Sequence, residues 1–122
     1  MTKGERFTNR IDLLQGTLDF IILQTLRWGP QHGYGISQAI NAHSKEAFKV
    51  ETGSLYPALH RLEKRGWVAS EWGTTDNNQR ARFYKLSPAG RRQLTTEQSR
   101  WTQFVDAMAS LMKPRDHELG PA

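Results

Sequence analysis

Thr52-Gly53-Ser54-Leu55-Tyr56-Pro57-Ala58-Leu59-His60-Arg61-Leu62-Glu63-Lys64-Arg65-Gly66 is the stretch on which the reading of this chain turns. Thr52 is a good N-cap and Gly66 a good residue to follow a helix end, so the spacing predicts a helix between them. Leu55, Ala58, Leu59 and Leu62 recur at i, i+3, i+4 and i+7 and share one face. At the helical angle per residue, Pro57, His60, Arg61 and Lys64 fall on the opposite face. Pro57 stands about one turn inside, where it removes one early backbone bond and is tolerated. The inner face is made to pack. The outer face carries donors, Ser54, His60, Arg61 and Lys64, and the helix N-terminus adds backbone N–H groups suited to a phosphate. Arg61 is the best candidate for a base contact; its guanidinium suits guanine or phosphate, and residue type does not choose.

Working outward, Val68–Trp72 and Ala81–Leu86 read as two strands of a hairpin. The polar link Gly73–Arg80 forms a long tip in which Asn77 and Asn78 suit a turn. Upstream, apolar residues at 14, 18, 21, 22 and 25/26 predict a mostly buried first helix, ended by Trp28-Gly29-Pro30. Gln31–Gly35 reads as a turn, and Ile36, Ala39, Ile40 and His43 mark a short second helix. Ala47–Val50 alternates briefly, as a small strand would. Downstream, Ser87-Pro88 is an N-cap followed by proline at the first helical position, predicting a helix to about Met112. Leu94, Trp101, Phe104, Val105, Met108, Leu111 and Met112 form its apolar stripe. Trp101, Phe104, Met108 and Leu111 have the 3-4-3 spacing of a coiled-coil seam, which a single small domain does not cover.

The order is helix, helix, short strand, helix, hairpin, long helix. It predicts a mainly α fold with a small β-hairpin: a winged helix-turn-helix over 11–86, a flexible arm over 1–10, a C-terminal dimerisation helix over 87–113 and a tail over 114–122. The chain has 122 residues and a net charge of +5. Residues 51–92 hold eight basic and four acidic side chains, so most of the positive excess lies in the third helix and hairpin. That placement suits double-stranded DNA, with the third helix in the major groove and the hairpin wing on the neighbouring backbone. With no cysteine, disulfides, thiolate metal sites and a cysteine nucleophile are excluded. No apolar run is long enough to span a bilayer and no signal-peptide core follows Met1, so a cytoplasmic location without membrane association is expected.

Three segments together resemble the PadR family of bacterial transcriptional regulators. They are Gly53–Val68, His32-Gly33-Tyr34-Gly35-Ile36 before the second helix, and Arg80-Ala81-Arg82-Phe83-Tyr84-Lys85-Leu86-Ser87-Pro88-Ala89-Gly90 at the wing. The resemblance covers about residues 12–112 and matches the family's shorter branch, with one C-terminal helix. It implies a homodimer that represses transcription and is released by a small molecule. It implies dimerisation through the long helix, aided by the first. It implies DNA contacts from Tyr34, from Thr52, Gly53, Ser54, Tyr56 and Pro57 at the start of the third helix, and from the wing's basic residues. In this chain the wing offers Asn78, Gln79, Arg80 and Arg82, with only the two arginines basic near its tip. Arg80 and Arg82 also have Glu63 and Glu71 as alternative partners. Trp101 reads as a dimer-seam anchor, and by resemblance also as the wall of a cavity for a flat aromatic effector.

Enzyme chemistry has no support. His32, His43, His60 and His117 lack metal spacing, Gly33-Tyr34-Gly35 lacks the third glycine of a phosphate loop, and no cofactor site is suggested. The alternatives to a DNA-binding regulator are a winged helix used for protein–protein contact and a small-molecule-binding dimer with little DNA role. The basic outer face of the third helix favours DNA.

Overall fold

The computed structural model describes residues 15–114; the expected arm over 1–10, the start of the first helix and the tail beyond 114 lie outside them. The elements are α1 (Gln15–Leu26), β1 (Gln31–His32), α2 (Gly33–His43), α3 (Thr52–Lys64), β2 (Val68–Thr74), β3 (Arg80–Leu86) and α4 (Pro88–Met112). Among the described residues, four helices and a three-stranded antiparallel sheet in the order β1-β3-β2 make a winged helix-turn-helix followed by a long helix.

The core is where the apolar faces converge. Leu18, Ile22, Leu23 and Leu26 of α1 meet Ile36 and Ile40 of α2 and Leu55, Ala58, Leu59 and Leu62 of α3. Val68, Tyr84 and Leu86 close it from the sheet, and Leu94 from α4. The predicted inner face of α3 is thus the buried one. The helix ends in a Schellman motif: Trp67 N–H donates to the Leu62 carbonyl and Gly66 N–H to the Glu63 carbonyl, with Gly66 at φ 78°. At its start the cap is Glu51 rather than Thr52, one residue earlier than expected, and its side chain makes no capping bond. Ser87 caps α4 as expected, its Oγ accepting from Gly90 N–H at 2.9 Å. The same hydroxyl donates to the Gly66 carbonyl at 2.5 Å, joining the end of α3 to the start of α4. Gly90 is needed there because a Cβ would run into the Trp67 carbonyl oxygen.

Two local expectations are corrected. Residues 31–32 are strand, not turn: Gln31 pairs with Tyr84 and His32 with Phe83. Helix α2 then begins at once, because the His32 ring nitrogen Nδ1 caps it by accepting from Gly35 N–H at 3.2 Å. Residues 47–50 form no regular strand. Side chains take up their backbone groups instead: Ser44 Oγ accepts from Phe48 N–H, while Asn41 Nδ2 and Ser37 Oγ donate to the carbonyls of Phe48 and Val50.

Candidate nucleic-acid interface

Burying four apolar residues turns the rest of α3 outward. Thr52, Gly53, Tyr56, Pro57, His60 and Lys64 are exposed, and Ser54 is half-buried. Tyr56 keeps 43% of its surface and Tyr34, at the start of α2, keeps 69%. Tyr56 packs against Gly33, where a Cβ would overlap its hydroxyl. That glycine lets the Tyr56 ring lie across the N-terminus of α2 while its edge stays in solvent.

The wing stands opposite. The register Trp72↔Arg82 and Thr74↔Arg80 puts both arginines on one face of the hairpin. Its tip closes through Thr75 N–H to the Gln79 carbonyl and Asn78 N–H to the Thr75 carbonyl, with Asn78 left-handed at φ 62°. Asparagine tolerates that conformation, which accounts for the turn but gives Asn78 no place in the groove below. An open groove of about 870 Å³ runs between the wing and the helices, walled by Tyr34, Tyr56, Gln79, Arg80 and Arg82 among others. Arg80 lies 4.9 Å from the Trp72 ring centre. Arg82 donates through Nε to Ser70 Oγ at 2.9 Å and pairs with Glu63 at 3.7 Å, the intramolecular alternative noted from sequence. It remains nearly half exposed and keeps its place on the groove.

Arg61 is a correction. Its guanidinium does not face outward but turns back to α1, donating to Asp19 Oδ1 at 2.9 Å. Asp19 is buried, and Arg65 approaches its other oxygen at 3.9 Å. A carboxylate inside the apolar face of α1 is costly unless paired, and Arg61 is the nearest cation that can reach it. The signal was visible: Asp19 is the one charge within Leu18-Asp19-Phe20-Ile21-Ile22-Leu23. The His32 cap is local, and its signal is a polar ring three residues before Gly35; the setting of Trp72 depends on the partner strand that brings Arg80 and Arg82 to it.

The stripe on α4 divides. Leu94 belongs to the domain's own core, 6% exposed, and not to an outer seam. Trp101 is half-buried and stacks on Phe20 of α1, centres 5.6 Å apart and planes 12° from parallel, so one indole face is already covered within the chain. Open depressions of about 360 and 490 Å³ include this stack in their walls. Beyond it Phe104, Val105, Met108, Leu111 and Met112 are 42–80% exposed.

The fold finds its match among known proteins. The family model described as "Transcriptional regulator PadR-like family" matches residues 22–96. The chain belongs to the PadR-like family of transcriptional regulators. A transcriptional regulator from Clostridium thermocellum is similar, at 29% identity and a TM-score of 0.73, covering 84% of this chain and 99% of that one. A PadR family regulator from Eggerthella lenta is also 29% identical, with a TM-score of 0.69, covering 83% and 86%. A transcriptional regulator of Mycobacterium tuberculosis is 41% identical over 66 residues, 54% of this chain and 58% of that protein. This PadR-like protein is therefore a DNA-binding regulator of transcription and not an enzyme. Among its described residues no helix is long and apolar enough to cross a membrane.

Proposed function

We propose that this PadR-like regulator is a cytoplasmic homodimeric repressor that reads an operator with α3 and holds its backbone with the wing. The observation that carries the reading is the exposed outer face of α3, whose Tyr56 shares one open groove with Tyr34 of α2 and with Arg80 and Arg82 of the wing. In this reading Thr52, Gly53, Ser54, Pro57 and His60 face the major groove, and Lys64 meets the backbone on the same exposed side. Tyr34, Tyr56, Gln79, Arg80 and Arg82 take phosphates, with Asn78 shaping the tip. Arg61 acts on DNA only through the position it gives α3. Dimerisation uses residues 87–113: Phe104, Val105, Met108, Leu111 and Met112 form an apolar strip too extended to leave in water. A two-fold dimer presents two α3 helices to half-sites about 34 Å apart.

A flat aromatic effector is proposed at Trp101, which is half-buried between the Phe20 stack and the edge-on Phe104 ring of the strip, and it releases DNA by favouring a different angle between the α4 arms. The test is fluorescence anisotropy on duplexes selected from a random pool, titrated with salt. Selected duplexes carrying two half-sites support the reading, with affinity that falls steeply with salt. Failure to bind any duplex at low salt sinks it. For the effector, planar cations and phenolic acids that quench tryptophan emission and release DNA lose both effects in Trp101→Ala.

A further inference from the structure

Trp72 has no place in the core and no assigned contact with DNA, yet it is 57% exposed in the middle of a strand. Two cations cover what the core does not. Arg82, directly across the ladder, has its guanidinium carbon 5.7 Å from the indole centre, and Arg80, its diagonal neighbour, 4.9 Å. Both arginines line the groove; Trp72 does not. Arg82 is further tied to α3, since Ser70 Oγ donates to Glu63 Oε2 at 2.5 Å and accepts from Arg82 Nε. A chain of contacts thus runs from α3 through Glu63, Ser70 and Arg82 to Trp72 and Arg80.

We propose that Trp72 is a positioning residue for DNA binding, an aromatic plate that holds the Arg80 and Arg82 guanidinium groups in place before they meet the phosphate backbone. This rests on the reading of the wing arginines as phosphate contacts. A free arginine on a wing samples many rotamers and loses that freedom on binding. Held over an aromatic face, with its stem packed along the ring, it has already lost much of it. The indole face holds the Arg80 guanidinium without neutralising it, whereas Arg82 shares its charge with the Glu63 carboxylate 3.7 Å away and so relies on the ring for only part of its positioning.

The experiment uses the full chain and a fluorescein-labelled random-sequence duplex, because phosphate contacts are independent of base sequence. Binding is measured over a range of salt concentrations. Trp72→Ala weakens binding about three- to tenfold, the size of one or two exposed cation–π contacts. It leaves the salt slope unchanged, because the same phosphates are still met. Arg80→Ala lowers that slope by about 0.9 for each phosphate it no longer neutralises. Trp72→Phe, which keeps a π face, restores most of the affinity. Trp72→Leu, which keeps apolar bulk, does not, and it stands in if the alanine variant fails to fold. In an Arg80→Ala/Arg82→Ala background, Trp72→Ala changes nothing further. Equal binding by the Phe and Leu variants overturns the proposal, as does an undiminished Trp72→Ala effect without the arginines, which would mean that the indole touches DNA itself. Wild-type binding by Trp72→Ala while Arg80→Ala is weakened removes this proposal alone. Wild-type binding by both arginine variants removes the wing reading and this proposal together.

Discussion

Replacing Asp19 by alanine tests whether Arg61 is a strut or a reader of bases. The carboxylate is 8% exposed and the Arg61 side chain 30%, so removing Asp19 leaves a cation that can turn partway into water. Breaking a fully buried pair costs about 3–5 kcal/mol; the partial exposure of the survivor lowers the expected loss for Asp19→Ala to about 2–3 kcal/mol. Arg61→Ala is the harsher change, about 3–4 kcal/mol, because it strands a buried carboxylate. Its remaining cation, Arg65, stands 3.9 Å away. Urea denaturation reads these as midpoint shifts of about 1–2 M for a domain of this size. Replacing both residues by apolar ones of similar volume recovers most of the loss. The DNA arm of the experiment is the sharper one. If Arg61 holds α3 against α1, the two single variants lose operator affinity together and to similar extents. Should Arg61→Ala lose sequence preference while Asp19→Ala keeps it, the guanidinium leaves Asp19 for a base and the strut argument fails.

Three further outcomes are expected. Phe104→Asp with Leu111→Asp yields a monomer by sedimentation without loss of helicity, since both residues lie on the exposed strip; a wild-type chain that sediments at 14.0 kDa at micromolar concentration would contradict the dimer. Burial holds the Tyr84 phenol above its ordinary value of 10.0, with Arg82 pulling it down and Glu63 and Tyr56 pushing it up. The folded state therefore keeps a proton that the unfolded chain gives up, so this contribution to stability is intact below pH 10 and falls as pH rises beyond it. Tyr84→Phe should flatten that decline in thermal melts between pH 9 and 11, and an unchanged slope would show that other groups cause it. Gly90→Ala pushes a methyl group into the Trp67 carbonyl and should cost about 3 kcal/mol by calorimetry, whereas Ala89→Gly beside it should cost under 1.

How much of this was legible beforehand depends on the range of the interaction involved. The helix over 52–64, its glycine stop, the Ser87-Pro88 start and the 25-residue span of α4 are written in residues three or four apart. Their capping and periodicity act within one or two turns, so the sequence alone settled them, and with them the winged helix and the leucine face of α3. What the sequence left undecided depended on residues far apart in the chain. Arg61 sits 42 positions from Asp19, and at the edge between the two faces of α3 its long side chain follows whichever partner is nearer. Gln31–His32 is too short to signal a strand and becomes one only because β3 comes alongside some fifty residues later. Leu94 and Trp101 lie on the same stripe of α4, yet one enters the shared core and the other stacks at its edge on Phe20, because different neighbours meet successive turns of that helix. Periodicity says which side chains share a face. Only the packed elements decide which stretch of that face is covered, and by what.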